Sequence, residues 1–307
     1  MSQRNLAILL VLQLLLVAIT WWPSSPAASR RAVFDVERDA IEQVEIALRP
    51  KSDRPEEAVV LVRDADAWKV QSAAAYPAAP AKVEALLDAL LALEAGAAIA
   101  GHPSSHAPLN VGDETYGRRI AVTAGGEVFE WLVGAATNRS VNMRRVGQDD
   151  VYRADGASEW SFGELSANYF EKDYVDGDPA SFAAVALRNA NGDLRFEQAD
   201  GVWNLVGLAE DETADSDSIA AFLDSVARVT MTEPVSSEWL PAHGLEDGAR
   251  IDWTIAAEDQ SIGGGYAVGA AIEGDRFVKQ EGNAFVVRAL ESAVQPLLEA
   301  RRSQFLQ

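Results

Sequence analysis

"WLVGAA" at Trp131–Ala136 and "YAVGAA" at Tyr266–Ala271 share a Val-Gly-Ala-Ala core with an aromatic residue two positions before the valine. Laying one core on the other sets an offset of 135 residues, and other landmarks fall on it. Trp68 in "DAWKV" meets Trp203 in "GVWNL", and Gly147 in "MRRVG" meets Gly282 in "VKQEG". "VYR" at Val151–Arg153 likewise meets "VVR" at Val286–Arg288. Self-similarity at one fixed spacing is the signature of a duplicated supersecondary unit. Trp68, Trp203, Gly134 and Gly269 are therefore read as structural markers of a repeat, each glycine ending a strand whose aromatic neighbour faces the core.

Around these markers each half reads alike. Short strands lead to the tryptophan, at Val44–Leu48, Val59–Arg63 and Ala67–Gln71, then at Phe182–Arg188, Leu194–Glu197 and Val202–Val206. A helix follows in each: Val83, Leu86, Leu87, Leu90 and Leu91 form one apolar stripe, which Ile219, Phe222, Leu223 and Val226 repeat. Next comes a loop with Pro, Gly and His, then antiparallel strands. Phe129, Trp131 and Val133 share one face opposite Val128, Glu130 and Leu132, while Ile251, Trp253 and Ile255 form the matching face in the second half. "TAGGE" and "EGN" read as hairpin turns, Gly263–Gly265 as a bulge or tight turn, and Glu291–Arg301 as a closing helix. Strands grouped apart from a single helix give an α+β class: two tandem repeats, each an antiparallel sheet with one amphipathic helix.

The amino terminus adds a membrane expectation. Leu6–Trp22 is an uncharged run of 17 residues. As a helix it covers roughly 25 Å, against a hydrocarbon core of roughly 30 Å. Arg4 precedes it and a Trp pair closes it, as an interfacial anchor would. The alternative is a cleaved signal peptide, for which "SSPAAS" supplies small residues. Arg30 and Arg31 follow the span, so flanking charge leaves orientation open; the short head and long acidic body favour export of the body. The expected organisation is an anchor at 1–22, a linker at 23–33, and repeats at 34–175 and 176–307. The expectation is a single-pass protein of a bacterial cytoplasmic membrane with a periplasmic body.

Composition restricts the partners. With 26 Lys and Arg against 47 Asp and Glu, the formal charge is −21, which repels phosphate backbones and speaks against nucleic acid. The absence of cysteine removes disulfides, thiol catalysis and thiolate metal sites. His102 and His106 lie four apart, but Pro103 and Pro108 forbid a helix there, and a solvated loop is expected instead. The acidic run Ala209–Ser218 fails the spacing of a calcium loop; Asp215, Ser216 or Asp217 is expected to cap the following helix. No G-x-S-x-G elbow or phosphate-cradling glycine pattern occurs, so no catalytic residue, cofactor or metal is assigned. Trp160 and Trp239 lie in irregular segments and are the candidate surface aromatics, whereas Trp68, Trp131, Trp203 and Trp253 are expected in the core.

The order of "AWKV", helix, "WLVGAA", "NMRRVG" and "DVYR", then "VWNL", "HGLEDGARIDW", "AVGAA", "FVKQEG" and "FVVR", resembles the bacterial domain-of-unknown-function 4340 family. The first loop departs from the pattern, since "SSHAPLNVGDETYG" stands where a "GL" loop is expected. The resemblance implies an N-terminal membrane segment, an exported body and association with gliding-motility-type ABC transport systems; it carries no catalytic residues. The functional expectation is thus a non-enzymatic, membrane-anchored interaction scaffold accessory to such a transporter, with an integral membrane protein as partner. The alternatives are a glycan- or peptidoglycan-binding envelope module and, less supported, a carboxylate-dependent hydrolase.

Overall fold

The structure, a computed structural model, describes residues 30–49, 58–137, 139–256 and 261–307. The apolar run Leu6–Trp22 lies outside them; among the described residues no helix is long and apolar enough to cross a membrane. The first strands are β1 (Arg31–Ala32), β2 (Ile41–Leu48), β3 (Ala58–Asp64), β4 (Ala67–Val70) and β5 (Tyr76–Pro77). Helix α1 (Pro80–Leu91) leads to β6 (Glu94–Ala100) and the small hairpin β7 (Val111–Gly112) and β8 (Thr115–Tyr116). After it come β9 (Arg118–Ala124), β10 (Glu127–Thr137), β11 (Ser140–Arg145) and β12 (Val151–Asp155). Then follow β13 (Asp173–Asp176), β14 (Phe182–Asn189), β15 (Gly192–Ala199), β16 (Val202–Leu205), α2 (Ser216–Ala227) and β17 (Arg228–Ser236). The chain continues through β18 (Ala249–Ala256), β19 (Ser261–Ile272), β20 (Asp275–Gln280), β21 (Val286–Leu290) and α3 (Glu291–Glu299).

Antiparallel sheet dominates and the class is α+β. A ten-stranded sheet runs β1-β6-β12-β11-β10-β9-β2-β3-β4-β5, and a nine-stranded sheet runs β13-β17-β21-β20-β19-β18-β14-β15-β16. Eight strands of the first, β6-β12-β11-β10-β9-β2-β3-β4, stand in the order of eight in the second, β17-β21-β20-β19-β18-β14-β15-β16. By packing, the chain forms two compact units, each discontinuous: one ends at Ala58 and resumes over Glu84–Phe162, the other takes Val59–Val83 and Gly163–Gln307.

The apolar periodicity sets the helices. On α2, Ile219, Phe222, Leu223, Val226 and Ala227 are buried, and Asp215 caps the first turn by accepting from the Asp217 and Ser218 amides at 3.2 and 3.1 Å. Burying a side chain of the size of Ile, Leu, Val or Phe contributes roughly 1.5–3 kcal/mol each. Phe196, Phe222 and Phe305 meet there with ring centroids 4.9–5.6 Å apart. On α1, Leu86, Leu87 and Leu90 are buried. Within the second unit, Tyr76 packs edge-on to Phe170 and Phe285, and the Ala79 amide donates to the Tyr169 carbonyl. "TAGGE" forms the β9–β10 hairpin, with Gly125 and Gly126 both at positive φ as a type I′ turn requires.

Several readings of the sequence are corrected. Helices α1 and α2 are each followed by a strand, β6 or β17, before the loop begins. Gly134 and Gly269 do not end strands: β10 continues to Thr137 and β19 to Ile272. Gly263–Gly265 form neither bulge nor turn, because they pair with Thr254, Trp253 and Asp252 in unbroken register. A Cβ at Gly264 would stand 2.9 Å from the Trp253 ring, so the missing side chain is space that the indole covers. Leu132, placed on the mixed face by alternation, is buried with Val111 and Val151 because a loop covers that side of the strand. Trp68 and Trp203 are core residues, whereas Trp131 and Trp253 are half-buried.

Candidate functional site

The most constrained backbone lies where a loop crosses each Val-Gly-Ala-Ala strand. An added Cβ at Gly134 would meet the Leu109 and Asn110 carbonyl oxygens at 2.5 and 2.6 Å. One at Gly269 would meet the His243 carbonyl oxygen at 2.1 Å. No other residue type fits two backbones this close. The crossing residue adopts a left-handed conformation in both places: Asn110 at φ +55° and Gly244 at φ +61°. Behind them sit two small apolar clusters, Val111–Leu132–Val151 and Leu245–Ala267–Phe277–Val286; the three members of the first lie 134 or 135 residues before three of the second. The departure in the first loop is thereby explained: "NV" takes the place of "GL", since Asn tolerates the left-handed region better than other residues with a side chain.

The histidines belong to these loops. His102 is exposed and its Nδ1 lies 2.9 Å from Ser104 Oγ. His106 is buried rather than solvated, its Nε2–H donating to the Asp149 carbonyl at 2.9 Å. His243 is also buried, with Nδ1 accepting from the Leu240 amide at 3.2 Å and its ring 4.7 Å from Phe277. Among the described residues no three His, Asp or Glu side chains are grouped to hold a metal ion. Two carboxylates of the acidic run are used in structure: Arg302 and the Ala209 amide hold Glu212 below its ordinary range, and the Ser218 amide and hydroxyl with the Asp217 amide do the same for Asp215.

Each candidate surface aromatic flanks one crossing and lines a cleft. Trp160 is 78 % exposed, on a 3₁₀ turn (Glu159–Ser161) whose start is held by the Ser158 amide donating to Ser161 Oγ. Beneath its ring, at 5.8 Å, lies the guanidinium of Arg118, itself only 3 % exposed. Arg118 also donates to the Phe162 carbonyl at 3.1 Å and pairs with Glu159 at 3.6 Å, so the indole rests on a fixed cation. Ala135, Ala136, Thr137, Ser140, Ser158 and Glu159 complete an open cleft of about 610 Å³. Trp239 is 54 % exposed and lines a smaller cleft, about 350 Å³, with Pro241, Gly244, Leu245, Glu246 and Asp247. One indole thus offers a stacking face beside hydroxyls and a carboxylate; the other sits beside two carboxylates.

Sequence reasoning missed Arg118, Arg144 and a charged cleft. Arg144, 3 % exposed, donates to the Val111 and Gln148 carbonyls and pairs with Asp113, tying the first loop to β11. Beside it Arg49, Asp113, Glu114, Tyr116, Arg119 and Glu130 line about 540 Å³, where Arg119 pairs with Glu130 at 3.5 Å. For Arg118 the available signal was a basic residue at an inward position of a period-2 strand, "RRIAVTA"; in "SVNMRR" Arg144 falls in phase with Ser140 and Asn142, so alternation offered none.

A family model described as Domain of unknown function (DUF4340) matches residues 68–247. No curated protein and no solved structure gives a significant match.

Proposed function

Since this chain belongs to the DUF4340 family, we propose that it is a non-enzymatic, membrane-anchored envelope scaffold made of two tandem α+β copies, accessory to an ABC-type transport system. The observation that carries the scaffold reading is the pair of exposed indoles, Trp160 and Trp239, each on a rigid frame beside a strand–loop crossing. Exposed aromatics on ordered backbone are the usual anchors of protein partners, because they bury much area and lose little rotamer freedom. The common strand order, the paired crossings and the paired apolar clusters support the two-copy reading. The uncharged Leu6–Trp22 run supports the anchor, and the family's association with gliding-motility-type ABC systems supports the transporter. An anchor would raise the local concentration of both indoles at the membrane partner.

Crosslinking in cells, then detergent purification of the full chain, tests this. The permease and ATP-binding subunits of one ABC system are expected, and W160A together with W239A should reduce their recovery about tenfold. Recovery no better than an unrelated anchored protein overturns the reading. The Trp160 cleft also favours a second reading, a glycan-binding envelope module, because an indole lies beside Thr137, Ser140, Ser158 and Glu159. That reading requires the full chain in detergent to co-sediment with peptidoglycan and W160A to abolish the co-sedimentation.

A further inference from the structure

The two sheets differ at one edge. In the ten-stranded sheet β4 is followed by β5, and the Trp68 carbonyl accepts from the Ala78 amide at 2.8 Å. In the nine-stranded sheet the strand of the same rank, β16, is the last. It pairs only with β15, in the register Phe196↔Leu205, Glu197↔Asn204, Gln198↔Trp203 and Ala199↔Val202. The Val206 amide donates to the Arg195 carbonyl, so by alternation Val202, Asn204 and Val206 turn their backbone groups inward. Trp203 and Leu205 turn theirs outward, and among the described residues no hydrogen bond reaches either from that side.

Sheet edges are ordinarily blunted with charge, proline or brevity. The other edges follow this: β1 is Arg31–Ala32, β5 ends in Pro77, and β13 is flanked by Asp173 and Asp176. Within its own sequence the β16 edge has none of these devices, for Gly201–Leu208 is "GVWNLVGL", without charge or proline in a chain of net charge −21; Arg302 donates to the Gly207 carbonyl at 2.8 Å, just past the strand's end. Val202 and Val206 are 50 % and 43 % exposed.

We propose that the β16 edge is the site at which a second copy of this chain adds, antiparallel, about a two-fold axis through Asn204. The segment "VWNLV", Val202–Val206, is close to its own reverse. On that axis Trp203 and Leu205 of each copy exchange both backbone bonds, which satisfies every outward group. On the exposed face Val202 meets the partner's Val206, and Asn204 meets the partner's Asn204. Val–Val pairs are good cross-strand neighbours, and no like charges are brought together. A contact this narrow is weak and reversible.

The chain has no cysteine, so a single introduced thiol reports one position. Opposed residues of a non-hydrogen-bonded antiparallel pair have Cα atoms about 4.5 Å apart, within the range a disulfide spans. Asn204→Cys in the full chain, oxidised in its membrane or micelle, is expected to give a disulfide-linked dimer. Lys69→Cys, at the same rank on the covered strand β4, is the collision control. The expected yield for N204C is at least tenfold above K69C, and adding V202K or V206K should return it to the control level, with unchanged circular dichroism confirming the fold. Equal yields from N204C and K69C, or a yield that survives both lysines, overturn the proposal.

Discussion

At the first crossing the left-handed residue is Asn110 and the cation behind it is Arg144; at the second they are Gly244 and Lys279. Both cations donate to a turn carbonyl beyond their strand, Gln148 or Asn283, but only Arg144 also reaches back to the loop, at Val111. Where the crossing residue has a side chain, a buried guanidinium and its Asp113 partner brace the loop. Where it is glycine, a half-buried lysine suffices, and desolvation draws that lysine's pKa down. The fixed element is therefore the strand glycine, and the loop chemistry around it is interchangeable.

The comparison breaks hardest at the strand glycines themselves. Gly269→Ala should cost about 3 kcal/mol and Gly134→Ala about 2, because each new Cβ meets backbone that must shift. Denaturant midpoints of the full chain check this, and a smaller loss for G269A than for G134A contradicts the geometry.

Tyr174 separates the two units next, since it belongs to the second alone. Its hydroxyl donates to the Phe285 carbonyl at 2.5 Å and accepts from the Gln280 amide, and burial pushes its pKa up to about 12. The raised pKa makes the unfolded state lose its proton first, so this contribution is intact below pH 10 and lost as pH rises through 12. Discounted for partial solvation, the loss is about 1–2 kcal/mol. Burial raises Tyr266, Tyr76 and Tyr152 as well, so alkaline unfolding followed by circular dichroism should show a combined slope that Tyr174→Phe reduces without abolishing.

The smallest effects lie at the crossing residue. Asn110→Ala should cost about 1 kcal/mol through left-handed strain, while Asn110→Gly should be near neutral. Thermal unfolding of the two variants side by side decides it; equal losses would mean that the Asn side chain, not the backbone angle, is what matters.

Much of this frame was legible. Period-2 strands rich in Val, Ile and Trp announced β2–β4 and β14–β16, and the helical stripes announced α1 and α2. Strand β6, "EAGAAIA", was not, because alanine and glycine have little strand preference and its state comes from pairing with β12 through two register shifts. Strand β17 was hidden by Pro234, which sits beside such a shift. The glycine run in β19 misled because its reason, the Trp253 ring, lies on another strand. The exposure of Trp160 and Trp239 followed from their irregular surroundings, but nothing near Trp160 in sequence announces Arg118 beneath it. Long-range pairing of that kind leaves no local periodicity to read.

The second unit's interleaved sequence bears on how the protein is made. Tyr76 leaves the ribosome early, yet one of the rings it packs against, Phe285, is added only after about 200 further residues. At ordinary elongation rates that is a wait of roughly 10 to 40 s. For that interval the Tyr76 ring stands without one of its two aromatic neighbours, although the β3–β4 hairpin beside it can close as soon as it emerges, so the packing around Tyr76 is finished only when synthesis is nearly complete.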